Sequence, residues 1–445
     1  MNRFGSVAAF SIVAVLASVA RAEVPADAPP VATVDEEAPP PLEEPEGYSP
    51  PEGVASTPPL SISGYLDVGF VKAQGDGTSF PAADTRLPAD YGVDTFATAV
   101  NTRGEVASTD SGGRFVNGFL PRSVDIADRP SFLLNTLNID LRYQTASSPF
   151  MVFSRVQLLP RHFASGNDTR VYVEQAFGRF APFATRELNI SVGKIDSVFG
   201  IEYLETQSNI RTGITPSPMA RYTTGTSVGA KFFVRQQIAA LQSAVSLNVA
   251  ATNSAPFVES LQPPDASVAG SPNVSARLGY ELNLRRFQLK LGGSALTGPR
   301  NDQRDRSARQ RMLGADARIN AFGLSLAGEY VDVKQDPGTE EKQTGLGTFP
   351  LASGFLARGY YVFGGYTLSP GWRLLARVTL YGRYGHRHAV FTGFRPVTVA
   401  SITGGLRLDL GESVILKGEI LRNDEIAGAP TVKNDVYTSS LVYSW

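Results

Sequence analysis

NVSARLGYELNL, residues 273–284, alternates residue by residue. Val274, Ala276, Leu278, Tyr280, Leu282 and Leu284 fall on one face, and Ser275, Arg277, Gly279, Glu281 and Asn283 on the other. A period of two belongs to a β-strand, not to a helix. One face needs an apolar cover, whereas the face with the arginine and the glutamate needs water or partners. A soluble sheet would cover its apolar face with a second protein layer.

The two-faced pattern recurs along the chain and predicts strands near 60–72, 132–144, 149–160, 171–180, 188–195, 225–235, 241–252, 273–284, 286–296, 311–320, 323–334, 358–369, 372–384, 396–410, 413–423 and 435–445. No apolar run beyond residue 60 reaches the length of about 18 residues that a membrane helix needs. Connections after even-numbered strands are short, such as Ala321-Phe322 and Pro370-Gly371. Those after odd-numbered strands are mostly long, including 73–131, 196–224, 253–272 and 335–357. Alternating short turns and long loops, with an even strand number that returns both ends to one side, is the layout of a transmembrane antiparallel β-barrel. About sixteen strands are expected, within bounds of fourteen to eighteen. The strand at 171–180 is the weakest because Phe177 and Phe180 differ in parity. Lipid then covers the apolar faces, and closure leaves no unpaired strand edge in hydrocarbon.

The last strand places Trp445, Tyr443, Leu441 and Tyr437 on one face. Trp445, Tyr443 and Trp372 are the expected membrane-interface residues, set where amphipathic rings divide hydrocarbon from headgroups. A terminal aromatic strand also resembles the signal by which barrel-assembly machinery recognises bacterial outer-membrane proteins.

Residues 1–22 read as a cleaved signal peptide: Arg3, an apolar run from Val7 to Val19 too short to span a bilayer, then Ala20-Arg21-Ala22. Residues 23–59 hold eleven prolines and nine acids with no Lys or Arg. They read as a disordered acidic arm, serving as a spacer or, alternatively, as a tethered plug. Without these segments residues 60–445 keep 39 bases and 33 acids, a formal +6. The chain has no cysteine, which excludes disulfides, thiolate metal sites and cysteine nucleophiles.

VGKIDSVFGIEYLETQSNIRTG, residues 192–213, resembles the OmpL-like outer-membrane β-barrel porin family at Gly193, Lys194, Phe199, Gly200, Glu202 and Asn209, and TTGTSVGA from Thr223 is similar to the strand that follows. The resemblance covers roughly thirty residues. It implies a porin, with outer-membrane lipid as surroundings, small hydrophilic solutes or anions as cargo, and a homotrimer as one assembly. In general trimeric porins the third loop folds inward, so the constriction-loop residues carried over are Asp196, Glu202, Glu205, Arg211 and Arg221. The first loop, with Arg103, Arg114 and Arg122, is a rival for that role.

Inward parity assigns Arg155, Arg277, Lys290, Arg318, Arg373, Arg377, Arg383, Arg407, Lys417, Glu281, Glu329 and Asp67 to the pore lining. Counting Arg142, Lys231, Arg235 and the remaining acids gives twelve bases against seven acids, a mild anion preference. Arg373, Arg377, Arg383 and Arg407 form the densest basic patch. Cross-strand pairing that merely stiffens the wall is the rival reading. His162, His386 and His388 fall in expected extracellular loops, with no third ligand for a metal and no hydrolase constellation. Neither catalytic residues, a cofactor nor nucleic acid is expected. The leading function is a passive diffusion channel, and the alternative is a plugged barrel acting as an adhesin or partner platform.

Overall fold

The structure is a computed structural model and describes residues 59–73, 108–109, 115–116, 131–145, 148–158, 171–183, 187–256, 271–299, 309–336, 341–344, 347–350, 355–391, 396–427 and 435–445. The signal peptide, almost all of the acidic arm, His162 and the three first-loop arginines lie outside the described residues.

Sixteen antiparallel strands close into one barrel. They are β1 Leu60–Ala73, β2 Ser131–Tyr143, β3 Phe150–Leu158, β4 Val171–Phe180, β5 Leu188–Asp196, β6 Thr226–Ile238, β7 Ser243–Thr252 and β8 Asn273–Leu284. β9 Phe287–Pro299, β10 Arg309–Ala321, β11 Leu324–Gln335, β12 Phe355–Leu368, β13 Arg377–Phe391, β14 Val397–Leu410, β15 Val414–Ala427 and β16 Val436–Ser444 follow. Each pairs with its sequence neighbours, and β1 pairs with β16 to close the ring. The alternation of β8 takes the expected sense. Asn273, Ser275 and Arg277 are buried inside, while Val274 and Leu278 are exposed outside.

Glycine and left-handed residues fall where the short turns require them. Phe322 and Gly323 both take positive φ, 51° and 79°, as a two-residue turn matched to strand twist demands. At the seam, Gly64 exchanges both backbone hydrogen bonds with Trp445, each 3.1 Å. A Cβ on Gly64 would stand 2.2 Å from the Asn138 carbonyl oxygen and 2.7 Å from the indole. The terminal ring therefore lies over a glycine and covers the seam, stacked on Tyr443.

The ambiguous strand, β4, does form, and it carries a β-bulge. Arg155 pairs with Gln175 and Val156 with Val173, leaving Glu174 as the extra residue. Beyond the bulge the two phenylalanines simply take opposite faces, and Phe180 meets the exposed Phe150 on the outside. Phe177 packs against the inner cluster of Ile195, Val198 and Ala250.

Strand thirteen corrects the sequence reading. It runs Arg377–Phe391 instead of 372–384. Gly371 takes a left-handed φ of 71°, and Leu375 donates to the Trp372 carbonyl, so a longer turn precedes the strand. Adjacent leucines at 374 and 375 interrupt the alternation there. Arg373 consequently sits exposed in the turn and does not line the barrel. At the other end His386 and His388 belong to the strand, paired with Ala400 and Thr398, not to a loop. They alternate with the buried, inward Arg387 and so face outward.

Candidate functional site

Residues 197–225, between β5 and β6, turn inward and cross the barrel. The segment contains one 3-10 turn, Glu202–Glu205, and one short helix, Ala220–Thr223. Two glycines of the 192–213 stretch have physical reasons. Gly193 has φ +137°, and a Cβ there would meet the Ala176 carbonyl oxygen at 2.2 Å. Gly200 has φ +75°, and its Cβ would collide with Glu329 Oε1 at 1.7 Å.

Polar anchors from distant strands hold the segment. Glu419 on β15 accepts from the Ile214 amide at 2.8 Å, the Thr215 amide at 3.0 Å, the Thr215 hydroxyl, and the Tyr381 hydroxyl at 3.0 Å. Glu329 on β11 accepts from the amides of Ile201 and Glu202. Lys417 donates to the carbonyls of Ser208, Arg211 and Gly213, and Arg407 to those of Asn209, Ile210 and Arg211. Arg383 reaches the Thr215 and Pro216 carbonyls at 2.7 and 2.8 Å. Asp67 on β1 accepts from Ser208 and Ser440. A buried backbone group costs free energy unless paired, so a structureless segment can lie inside a barrel only with such a set of partners.

An apolar anchor joins the polar ones. Phe199, Met219 and Tyr222 pack with Leu296, Met312, Val331, Val333, Ala357 and Ala389, inward residues of β9 to β13. The sequence reading treated the inner face as wet throughout; this sector is dry. The inward parity of Leu296, Met312, Val331 and Val333 was the signal that could have revealed it. Arg387 is fully buried beside this cluster, with its guanidinium 5.8 Å from the Tyr222 ring centroid.

The expected pore charges therefore divide. Arg383, Arg407, Lys417, Glu329 and Asp67 face inward but hold the segment. Arg155 pairs with Asp140 at 2.8 Å, Arg277 with Asp316 at 2.7 Å and Lys290 with Glu281 at 3.5 Å. Arg318 pairs with Glu205, so that loop acid is tied to β10. Arg377, half exposed, pairs with Asp409 at 3.2 Å. The dense basic patch thus dissolves into two loop anchors, Arg383 and Arg407, two ion pairs in which Arg377 and Arg407 share Asp409, and one turn residue. Of the other loop residues, Asp196 ends β5, Arg211 is buried and donates to the Gly213 carbonyl, and the side chain of Arg221 lies outside the described residues. Trp372 and Tyr443 are exposed, with Trp445, at the turn end of the barrel. Of the residues central to the assembly, Glu419 was expected only as one of the inward acids and Phe199 only as a position of the family resemblance, and Thr215 was not singled out.

Glu202 accepts from the Ser217 amide at 2.6 Å and from its hydroxyl. Burial pushes its carboxyl above the ordinary 4.5, opposed by Arg383 and Ser217. An acid with a raised folded value stabilises the docked segment below 4.5 and loses that contribution as pH rises through the raised value. The mobility of a spin label placed on the segment should therefore grow as pH is raised from 4, and Glu202→Gln should flatten the dependence. A profile unchanged by the substitution would refute this assignment.

No family model matches the chain, and no curated protein matches it in sequence. Solved structures do resemble its fold. OmpT, an outer membrane protein of Vibrio cholerae, aligns with TM-score 0.50 and 8% identity over 87% of this chain and 97% of that one. Salmonella typhi OmpF, solved in complex with daunomycin, aligns with TM-score 0.50 and 12% identity over the same shares. The outer membrane channel DcaP of Acinetobacter baumannii gives 0.49 and 12%, again over 87% and 97%. The sixteen-stranded barrel fold is thus one that this chain shares with OmpT and OmpF.

Proposed function

We propose that the chain is a bacterial outer-membrane porin, a water-filled channel for passive diffusion of small hydrophilic solutes, narrowed by residues 197–225. The observation that carries this reading is the built-in segment, tied by charged side chains to strands on several sides of the barrel. Away from it, the inward-facing pair Arg235–Glu281 keeps 31% and 22% side-chain exposure, which fits a wet lumen. The likeness of 192–213 to the OmpL-like porins supports the same reading, and short turns and termini then face the periplasm. Transport here needs no catalytic group. The excess of inward bases over acids favours anions mildly, and a homotrimer is the proposed assembly.

The apolar cluster under Phe199 favours a second reading, a blocked barrel that serves as a surface platform. Single-channel recording on the folded protein in a planar bilayer separates the two. Discrete open steps, with a reversal potential of anion-selective sign in a salt gradient, are expected. Folded protein that gives no steps would sink the channel and promote the platform.

A further inference from the structure

The inner face of β8 to β12 changes character at the short-turn end. Strand register sets Asn283 beside Gln288, Gln288 beside Asn320, Asn320 beside Ser325 and Ser325 beside Gly365, one inward row across five strands. Hydrogen bonds join the row into a belt. Gln288 Nε2 donates to Asn283 Oδ1 at 2.9 Å, Asn320 Nδ2 to Gln288 Oε1 at 2.9 Å, and the Ser325 hydroxyl to Asn320 Oδ1 at 2.6 Å. None of these four residues is buried. The charges around them are matched: Glu281 holds Arg235 at 3.1 Å and Lys290 at 3.5 Å, Glu205 holds Arg318, and Arg383 is committed to the carbonyls of Thr215 and Pro216.

An aromatic wall rises where the belt ends. Phe363 stands two residues from Gly365 on β12, inward and half-buried, and its ring stacks on that of Tyr381 with centroids 6.0 Å apart and planes inclined by 27°. Gly365 keeps the space beside this ring open. A Cβ there would stand 3.2 Å from the Phe363 ring and 3.6 Å from Tyr381 Cβ. On its other strand side Phe363 lies beside Ala327, against which Ile201, Tyr203 and Leu204 of the inward segment pack. The hollow therefore has the segment above it, aromatic rings at one side, and uncharged amides and a hydroxyl along its rim. Pockets of this kind take ligands that are apolar on one face and polar at the edge. Groups that both donate and accept match hydroxyls, which do the same, and bring no charge to be desolvated.

We propose that Phe363, Gly365, Asn320 and Ser325 form a subsite for a neutral polyhydroxylated solute, a sugar or polyol, at the short-turn mouth of the lumen. The proposal rests on the channel reading above and names a substrate class for it. A sugar ring laid with its C–H face on Phe363 fills the space over Gly365 and turns its edge hydroxyls to Asn320 and Ser325. No counter-ion is needed, because every group that the sugar meets is uncharged.

The test uses the full folded chain in a detergent without a sugar headgroup, with raffinose as the probe and a polyethylene glycol of matching radius as the control for size. Saturation-transfer NMR should show raffinose bound and the polymer unbound, and raffinose should interrupt the single-channel current in a planar bilayer. Phe363→Leu and Gly365→Val, neither of which changes charge, should each raise the dissociation constant roughly tenfold. Phe363→Tyr, which keeps the ring, and Arg142→Gln, on β2, should bind like the wild type. Raffinose and the polymer acting alike, or unchanged affinity in both the Leu and the Val variant, would overturn the proposal. Stronger binding of galacturonate than of galactose would do the same, in favour of an anion site. The two readings fail separately: raffinose bound without conductance sinks only the channel, and conductance without raffinose binding sinks only the subsite.

Discussion

Glu419→Ala should release residues 197–225 from the barrel wall. Its carboxylate takes four donors, from the Ile214 and Thr215 amides and the Thr215 and Tyr381 hydroxyls, and all of these residues are buried. Truncation strands those donors in a site with little access to water. A stranded buried donor costs about 1–3 kcal/mol, and removing one partner of a buried charged set typically costs about 3–5 kcal/mol in all. The barrel ladder itself is untouched, because β15 keeps its pairing with β14 and β16. The cost therefore falls on local opening of the segment. Tryptic cleavage after Arg211 should accelerate at least about a hundredfold, and single-channel conductance should rise as the narrowing moves aside. Cleavage and conductance within twofold of the wild type would show that Glu419 is not the anchor described here.

Phe199→Ala attacks the same segment through its apolar anchor. The ring is fully buried among Met219, Met312, Val331 and Val333, and Gly314 supplies the space: a Cβ there would stand 2.8 Å from the ring. Removing a buried phenyl ring costs about 3–5 kcal/mol, since the cavity left behind is not free to collapse when its walls are barrel strands. Amide exchange across 197–225 should accelerate by two to three orders of magnitude, with strand amides unchanged. Adding Gly314→Ala to this variant should recover part of the loss by refilling the space, whereas in the wild type the same change should be destabilising through its contact with the ring. Equal acceleration throughout the barrel would mean that the segment and the wall open as one unit.

The strand pattern was legible because lipid and lumen impose opposite demands on alternate residues, so the sequence NVSARLGYELNL carries its own orientation. The same alternation located all sixteen strands of the barrel, although strand thirteen was misplaced where Leu374 and Leu375 break the period. Parity also identified most of the inward charges, including Arg383, Arg407 and Lys417. It could not show what they touch. Strand periodicity specifies a face and carries no information on a segment some two hundred residues away in the chain, as Glu419 and Thr215 are.

What the sequence by itself determined is the barrel: an apolar outside, a polar inside, short turns at one end and aromatic rings at the edges, all consequences of local periodicity and turn chemistry. What only the tertiary structure decided is the use of the interior. Whether an inward arginine meets water, a neighbouring strand or the carbonyls of a folded-in segment depends on closure of the ring, which brings β1, β11 and β15 around residues 197–225. The deciding free energies there are those of long-range hydrogen bonds and packing, which the residue pattern does not encode.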